Sequence, residues 1–102
     1  MKKKSLSLPP TGQYVVKLKS VGNPDFQQYA PISNPEVVVA NSLEKIVQAC
    51  NRYIEFWNLG GGNWDSPIIY WDNKPVAKVS YNLRLWDPTD DKKEILIQQT
   101  IQ

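Results

Sequence analysis

The sequence contains no histidine. Histidine is the commonest general base in enzymes and a frequent metal ligand, so its absence excludes Ser-His-Asp and Cys-His catalytic arrangements. The single cysteine, Cys50, excludes an intrachain disulfide and fits a reducing compartment. No apolar run approaches the roughly 20 residues that a membrane span requires. We therefore expect a cytoplasmic protein with no membrane association, no cofactor and no metal site.

The chain also has little net charge, because its 12 Lys and Arg residues are nearly balanced by 10 Asp and Glu residues. Three of the lysines are Lys2–Lys4, so the remainder of the chain carries 9 basic against 10 acidic residues. Residues 1–12, which include two prolines and a glycine near their end, predict a disordered basic arm. Residues 13–102 predict a single globular domain of near-neutral charge.

The strongest local pattern predicts an amphipathic helix over about residues 42–58. Asn41 with Glu44 resembles a capping box, and Ser42 is the alternative cap. The three glycines over residues 60–62 predict the end of the helix rather than an anion cradle, because phosphate-binding loops precede their helices. At 100° per residue one apolar stripe forms, consisting of Leu43, Ile46, Val47, Cys50, Tyr53, Ile54 and Trp57.

Residues 75–86 alternate at period two and predict one long half-buried strand. A hairpin should join this strand to a short strand just before it. A loop of even length pairs Trp71 with Val76 and places Ile68 and Tyr70 in the core, whereas an odd loop reverses the two faces. We favour the even loop. The core side of the long strand is predicted to hold Ala77, Val79, Tyr81, Leu83 and Leu85.

A further strand is predicted over residues 14–18, and residues 37–40 form either a brief strand or an extended entry to the helix. A last strand is suggested by Ile95, Ile97 and Ile101. The proline-containing loop over residues 20–36 either packs elsewhere on the domain or folds back over the open side of the sheet. The resulting fold class is α+β, an antiparallel sheet of about four strands with the helix across one face.

The face of the sheet that the helix leaves uncovered is the predicted interaction face. Aromatic and apolar anchors among a few polar groups are typical of contact surfaces. Phe56, which falls outside the helix stripe, and Trp64 form a secondary candidate site. The predicted interaction face consists of Ile69, Trp71, Val76, Lys78, Asn82, Arg84 and Trp86.

These observations favour a small non-enzymatic interaction domain that forms a homodimer, because a two-fold axis needs only one self-complementary patch. The alternative is a nucleic-acid-binding accessory protein that uses the same face with Lys17, Lys19 and the N-terminal arm. An enzyme acting through carboxylates alone is a weaker third hypothesis. The acidic cluster Asp87, Asp90, Asp91 and Glu94 lacks the spacing of a calcium loop and is better explained as turn chemistry.

Overall fold

The computed structural model describes residues 13–96. The predicted arm over residues 1–12, together with Ile97 and Ile101, lies outside the described residues. Within residues 13–96 one α-helix lies against a six-stranded antiparallel sheet, so the predicted α+β class is confirmed with six strands rather than about four. The elements are β1 (Tyr14–Leu18), β2 (Glu36–Ala40), α1 (Leu43–Trp57), β3 (Ile68–Trp71), β4 (Lys74–Val79), β5 (Leu85–Asp87) and β6 (Asp90–Ile95). Their order across the sheet is β2-β1-β3-β4-β5-β6.

The helix α1 forms where the apolar stripe predicts it, and Ile46, Cys50 and Tyr53 on that stripe are buried. Ser42, the alternative cap, is the N-cap, and its Oγ accepts the backbone N–H of Lys45 at 3.2 Å. The helix ends before the glycines because Asn58 takes a left-handed conformation with φ 54°. Asparagine tolerates this conformation, so no glycine is needed to stop the helix.

The core lies between α1 and one face of the sheet. The helix packs over both β1 and β2. Beyond the helix, residues of the segment that follows it cover the inner side of the later strands. The buried cluster consists of Val16, Leu18, Ile46, Cys50, Tyr53, Leu59, Trp64, Ile69, Ala77, Val79 and Leu85.

The prediction of one long strand over residues 75–86 is wrong, because a turn divides it into β4 and β5. The backbone N–H of Ser80 donates to the carbonyl of Arg84 at 3.0 Å, which closes the turn. Leu83 adopts a positive φ of 67° within it. Tyr81 is therefore exposed rather than in the core, and its hydroxyl donates to the carbonyl of Leu59 at 2.9 Å. The apolar alternation continued across the turn and concealed it.

The predicted pairing of Trp71 with Val76 is also wrong. A two-residue turn of Asp72 and Asn73, both with positive φ, pairs Trp71 with Lys74. This even loop is shorter than the one needed for the predicted pairing. Val76 is an extra residue in β4 and forms a bulge. Beyond this bulge, each residue of β3 pairs one position further along β4 than it would without it.

The register shift reverses the predicted faces of β3. Ile69 pairs with Ala77 and is fully buried in the core, whereas Tyr70 pairs with Pro75 and is 42% exposed on the opposite face. Ile68 pairs with Lys78, also on that opposite face. Successive strand residues point to opposite sides, so a shift of one position exchanges every side chain between them.

The loop over residues 20–36 lies on the helix side of the sheet. The Oγ of Ser33 is 2.6 Å from the Tyr53 hydroxyl of α1, and that hydroxyl also donates to the carbonyl of Asn34. The backbone N–H of Ile32 donates to the Oγ of buried Ser20 at 3.1 Å. This loop therefore extends the cover of the core and leaves the other face of the sheet free of it.

Candidate interaction surface

Three residues of the predicted interaction face lie on the helix side instead. Ile69 belongs to the core, and Val76, at the bulge, packs against the core. Trp71 pairs with Tyr14 of β1, and the two ring centroids are 4.4 Å apart. Tyr14 belongs to the row of β1 residues that faces α1, so Trp71 lies on that side as well. The bulge and the short turn place all three there, so we withdraw them from the interaction face.

Two further residues of that predicted face lie in the turn between β4 and β5. The carboxamide oxygen of Asn82 accepts the backbone N–H of Arg84 at 3.4 Å. The Arg84 guanidinium approaches Glu94 at 3.9 Å, an exposed ion pair of little energetic weight. Neither residue stands within a strand of the sheet, because the predicted strand is interrupted at this point.

Lys78 and Trp86 remain on the face opposite α1, where they form a directly opposed cross-strand pair. The indole N–H of Trp86 donates to the Oγ of Ser80 at 3.0 Å, which fixes the ring over the end of β4. A shallow cavity of about 500 Å³ opens beside these groups and also reaches Tyr81 and Asp91. Asn82 lines the same cavity, so the structure brings three of the seven predicted residues together: Lys78, Asn82 and Trp86.

The secondary candidates have different environments. Trp64 is buried, and its indole N–H donates to the carbonyl of Val79 at 2.9 Å, so it is a core residue rather than a surface anchor. Phe56 is 80% exposed and lies edge-on to Trp57, with ring centroids 5.2 Å apart. Phe56 therefore remains a candidate contact residue, and Trp64 does not.

The open face is the side of the sheet opposite α1. Neither α1 nor the loop over residues 20–36 covers it, and three of its large hydrophobic side chains are exposed: Val37 at 62%, Val39 at 49% and Tyr70 at 42%. Sequence reasoning missed Tyr70 because it assigned β3 to the wrong register, and it missed Val37 and Val39 because the position of β2 in the sheet depends on its pairing with β1. The cross-strand pairs assign to this face Val15, Lys17, Val37, Val39, Ile68, Tyr70, Pro75, Lys78 and Trp86.

An uninterrupted apolar row crosses four strands of the open face. Val39 of β2 stands opposite Val15 of β1, which stands opposite Tyr70 of β3, and Tyr70 pairs with Pro75 of β4. In the neighbouring row apolar residues alternate with lysines, beginning with Val37 of β2 opposite Lys17 of β1. A groove of about 540 Å³ lies along Val15 and Tyr70 of the first row and along Val37 and Lys17 of the second. At its end the ammonium of Lys19 meets the Asp65 carboxylate at 3.6 Å.

A second groove, of about 410 Å³, lies beside α1 on the other side of the molecule. Its walls include Ala49, Arg52 and Phe56 of the helix, together with Pro35 and Glu36 where the chain enters β2. The exposed flank of α1 that carries Phe56 is thus turned toward β2, one of the two edge strands. The signal in the sequence was the position of Phe56 outside the apolar stripe.

The groups with the chemistry of a reactive site have structural roles here. Burial raises the pKa of the Cys50 thiol to about 12, so the thiol stays protonated and unreactive at neutral pH. The Asp87 carboxylate accepts the hydroxyl and the backbone N–H of Thr89, at 2.7 and 2.8 Å, and these bonds lower the pKa of Asp87. Asp87 accordingly stabilises the turn between β5 and β6, as the turn interpretation of the acidic cluster expects.

No helix in the described part of the chain has both the length and the apolar character that crossing a bilayer requires. Across residues 13–96 no three side chains of the types that bind metals gather into one site. No protein family, curated protein or solved structure matches this chain.

Proposed function

We propose that this chain is a non-enzymatic interaction domain that associates with a second copy of itself through the open face. The observation that carries the proposal is the apolar row of Val39, Val15, Tyr70 and Pro75 across four adjacent strands. Contiguous apolar surface of this kind marks contact sites on soluble proteins, whereas single exposed apolar residues do not.

A second copy is the partner that needs the fewest assumptions. A two-fold axis through the row places apolar side chains against their own equivalents, as in stacked sheets about 10 Å apart. Lys17 and Lys78 in the neighbouring row can lay their aliphatic stems along this contact while their ammonium groups stay in water. The ion pair of Lys19 with Asp65 removes one further positive charge from the face. A reducing compartment such as the cytoplasm suits the single buried thiol of Cys50.

Light scattering on the eluted protein tests the proposal at about 100 µM, where weak specific dimers are populated. Tyr70→Glu places a charge in the middle of the apolar row and should lower the mass of the assembly. Tyr29→Glu is the matched control, because Tyr29 is an exposed tyrosine of the loop over residues 20–36. A wild-type protein with the monomer mass of 11.7 kDa, or an assembly that Tyr70→Glu leaves intact, would overturn the proposal.

Binding of single-stranded nucleic acid is the second candidate function. The observation that favours it is the joint presence of Lys17, Lys78 and the ring of Trp86 on the open face. Lysines that follow a phosphate backbone, with aromatic rings on which bases stack, are typical of proteins that bind single strands. The near-neutral body of the chain ranks this function below self-association.

A further inference from the structure

The two edge strands of the sheet differ sharply in character. The β6 edge carries a run of exposed charged residues, Asp90–Glu94, and charges of this kind prevent pairing with other strands. The β2 edge reads Glu-Val-Val-Val-Ala, with one charge at its end and no proline or bulge within it. An apolar edge presents unpaired backbone N–H and C=O groups as a template for another strand. Within residues 13–96 one edge is therefore protected and the other is not.

We propose that β2 pairs antiparallel with β2 of a second copy of this chain, so that two six-stranded sheets become one continuous sheet. This contact goes beyond the proposed function, since it uses the strand edge and the helix side rather than the open face. It has its own two-fold axis, perpendicular to the sheet. Either contact can therefore exist without the other.

The symmetry fixes the register of the pairing. A two-fold axis perpendicular to the sheet keeps each face on its own side, and directly opposed residues of an antiparallel pair share a face. Val37 and Val39 lie on the open face and Val38 on the helix side, so only registers centred on a residue are allowed. Centring on Val38 pairs all five residues of β2. Val37 then meets Val39 of the second copy, and Glu36 meets Ala40 of the second copy, which keeps the two carboxylates apart.

The position of α1 suits the same axis. The helix packs over both β1 and β2. Neighbouring strands lie about 4.8 Å apart, so the two-fold axis would lie half that distance outside β2. A helix midway between β1 and β2 is then about one strand spacing from the axis. Its symmetry mate is then about 10 Å away, a normal distance between packed helices. Edge pairing thus brings the two α1 helices side by side.

Phe56 supplies a second, independent observation for this contact. Its side chain is 80% exposed on the flank of α1 that turns toward Glu36, at the start of β2. Ala49 and Arg52 continue the same flank and line the same groove. A second helix at packing distance would cover this flank. The pairing therefore accounts for both the apolar edge strand and the large apolar residue beside it.

Disulfide cross-linking tests the register directly. With Cys50→Ala as the background, Val38→Cys places two thiols on residues that face each other across the axis. The Cα atoms of opposed residues lie about 4.5–5.5 Å apart, within the range of roughly 4.4–6.8 Å that a disulfide allows. Ala40→Cys is the control, because its two copies would be about 14 Å apart. We expect a cross-linked dimer from Val38→Cys and none from Ala40→Cys under mild oxidation.

The mass of the assembly tests the helix contact separately from the open face. In a Tyr70→Glu background only the edge contact should remain, and adding Phe56→Glu should halve the mass. Phe26→Glu changes the other exposed phenylalanine, which lies in the turn Pro24–Phe26, and should leave the mass unchanged. Circular dichroism confirms that each variant is folded.

The edge contact is overturned if folded Val38→Cys fails to cross-link, if Ala40→Cys cross-links equally well, or if Phe56→Glu leaves the mass unchanged. These results are independent of the open face. Loss of the effect of Tyr70→Glu alone removes the proposed function and keeps the edge contact. If only Val38→Cys and Phe56→Glu lack their expected effects, the edge contact is removed and the proposed function is kept.

Discussion

The indole N–H of Trp64 donates to the carbonyl oxygen of Val79 at 2.9 Å. The bond joins the segment that follows α1 to the last residue of β4, inside the core. Trp64→Phe keeps an aromatic ring but leaves a buried carbonyl without this donor, and we expect the free energy of unfolding to fall by about 1–3 kcal/mol. Urea denaturation measures the change. Trp71→Phe, at a half-buried position, is the comparison and should cost less.

Ile46 is the residue of α1 whose loss should be felt most directly in the core, because it is fully buried between the helix and the sheet. Ile46→Ala should lower the free energy of unfolding by about 2–5 kcal/mol. Val37→Ala, on the exposed open face, should change it by less than about 0.5 kcal/mol. Equal denaturation midpoints for Ile46→Ala and the wild type would contradict the packing of α1 described above.

The buried thiol of Cys50 should make stability fall at alkaline pH. Its pKa is about 12 in the folded chain and about 8.5 in an unfolded one. Above about pH 8.5 the unfolded chain releases a proton that the folded chain retains, so stability present below that pH is lost as the pH rises toward 12. The loss should approach about 1.4 kcal/mol per pH unit.

Urea denaturation between pH 7 and about 10 measures this dependence, and Cys50→Ala removes the contribution of the thiol. The difference in free energy of unfolding between the two proteins should shift steadily above about pH 9. Labelling of Cys50 by a thiol reagent at pH 8 should be slow in the folded protein and fast in denaturant. Rapid labelling under native conditions would show that the thiol is accessible.

Salt dependence distinguishes the two candidate functions of the open face. If the face binds single-stranded nucleic acid, the affinity for a labelled oligonucleotide should fall steeply with salt. Lys17→Gln and Lys78→Gln should each make the slope of log affinity against log salt concentration shallower by a little under one unit, because each removes one phosphate contact. Lys93→Gln, on the opposite edge strand β6, is the control. We expect no binding at physiological salt, and sub-micromolar affinity there would reverse the ranking of the two functions.

The sequence by itself determined the features that depend on short separations along the chain. The helix α1 was predictable because its apolar stripe repeats every 3.6 residues and needs no distant residue to be recognised. Its buried members Ile46, Cys50 and Tyr53 followed directly from that period. The α+β class followed in turn, since one helix among several strand-like segments can cover only one face of a sheet.

The faces of the strands were decided only by the tertiary structure. At period two a single extra residue exchanges the two sides, and the bulge at Val76 supplies that residue without any mark in the apolar pattern. Ile69 therefore lies in the core and Tyr70 on the open face. The turn that begins at Ser80 was hidden in the same way, because Tyr81 continues the apolar alternation through it.

The identity of the edge strands also depended on the whole fold. The three valines of β2 were visible in the sequence, yet nothing local indicates that this strand is outermost. That position follows from pairings across the chain, in which β1 lies between β2 and β3 although β2 and β3 are separated in sequence by the helix. Strand order is set by contacts between distant residues. The sequence of an apolar strand therefore does not show whether that strand lies at the edge of the sheet or inside it.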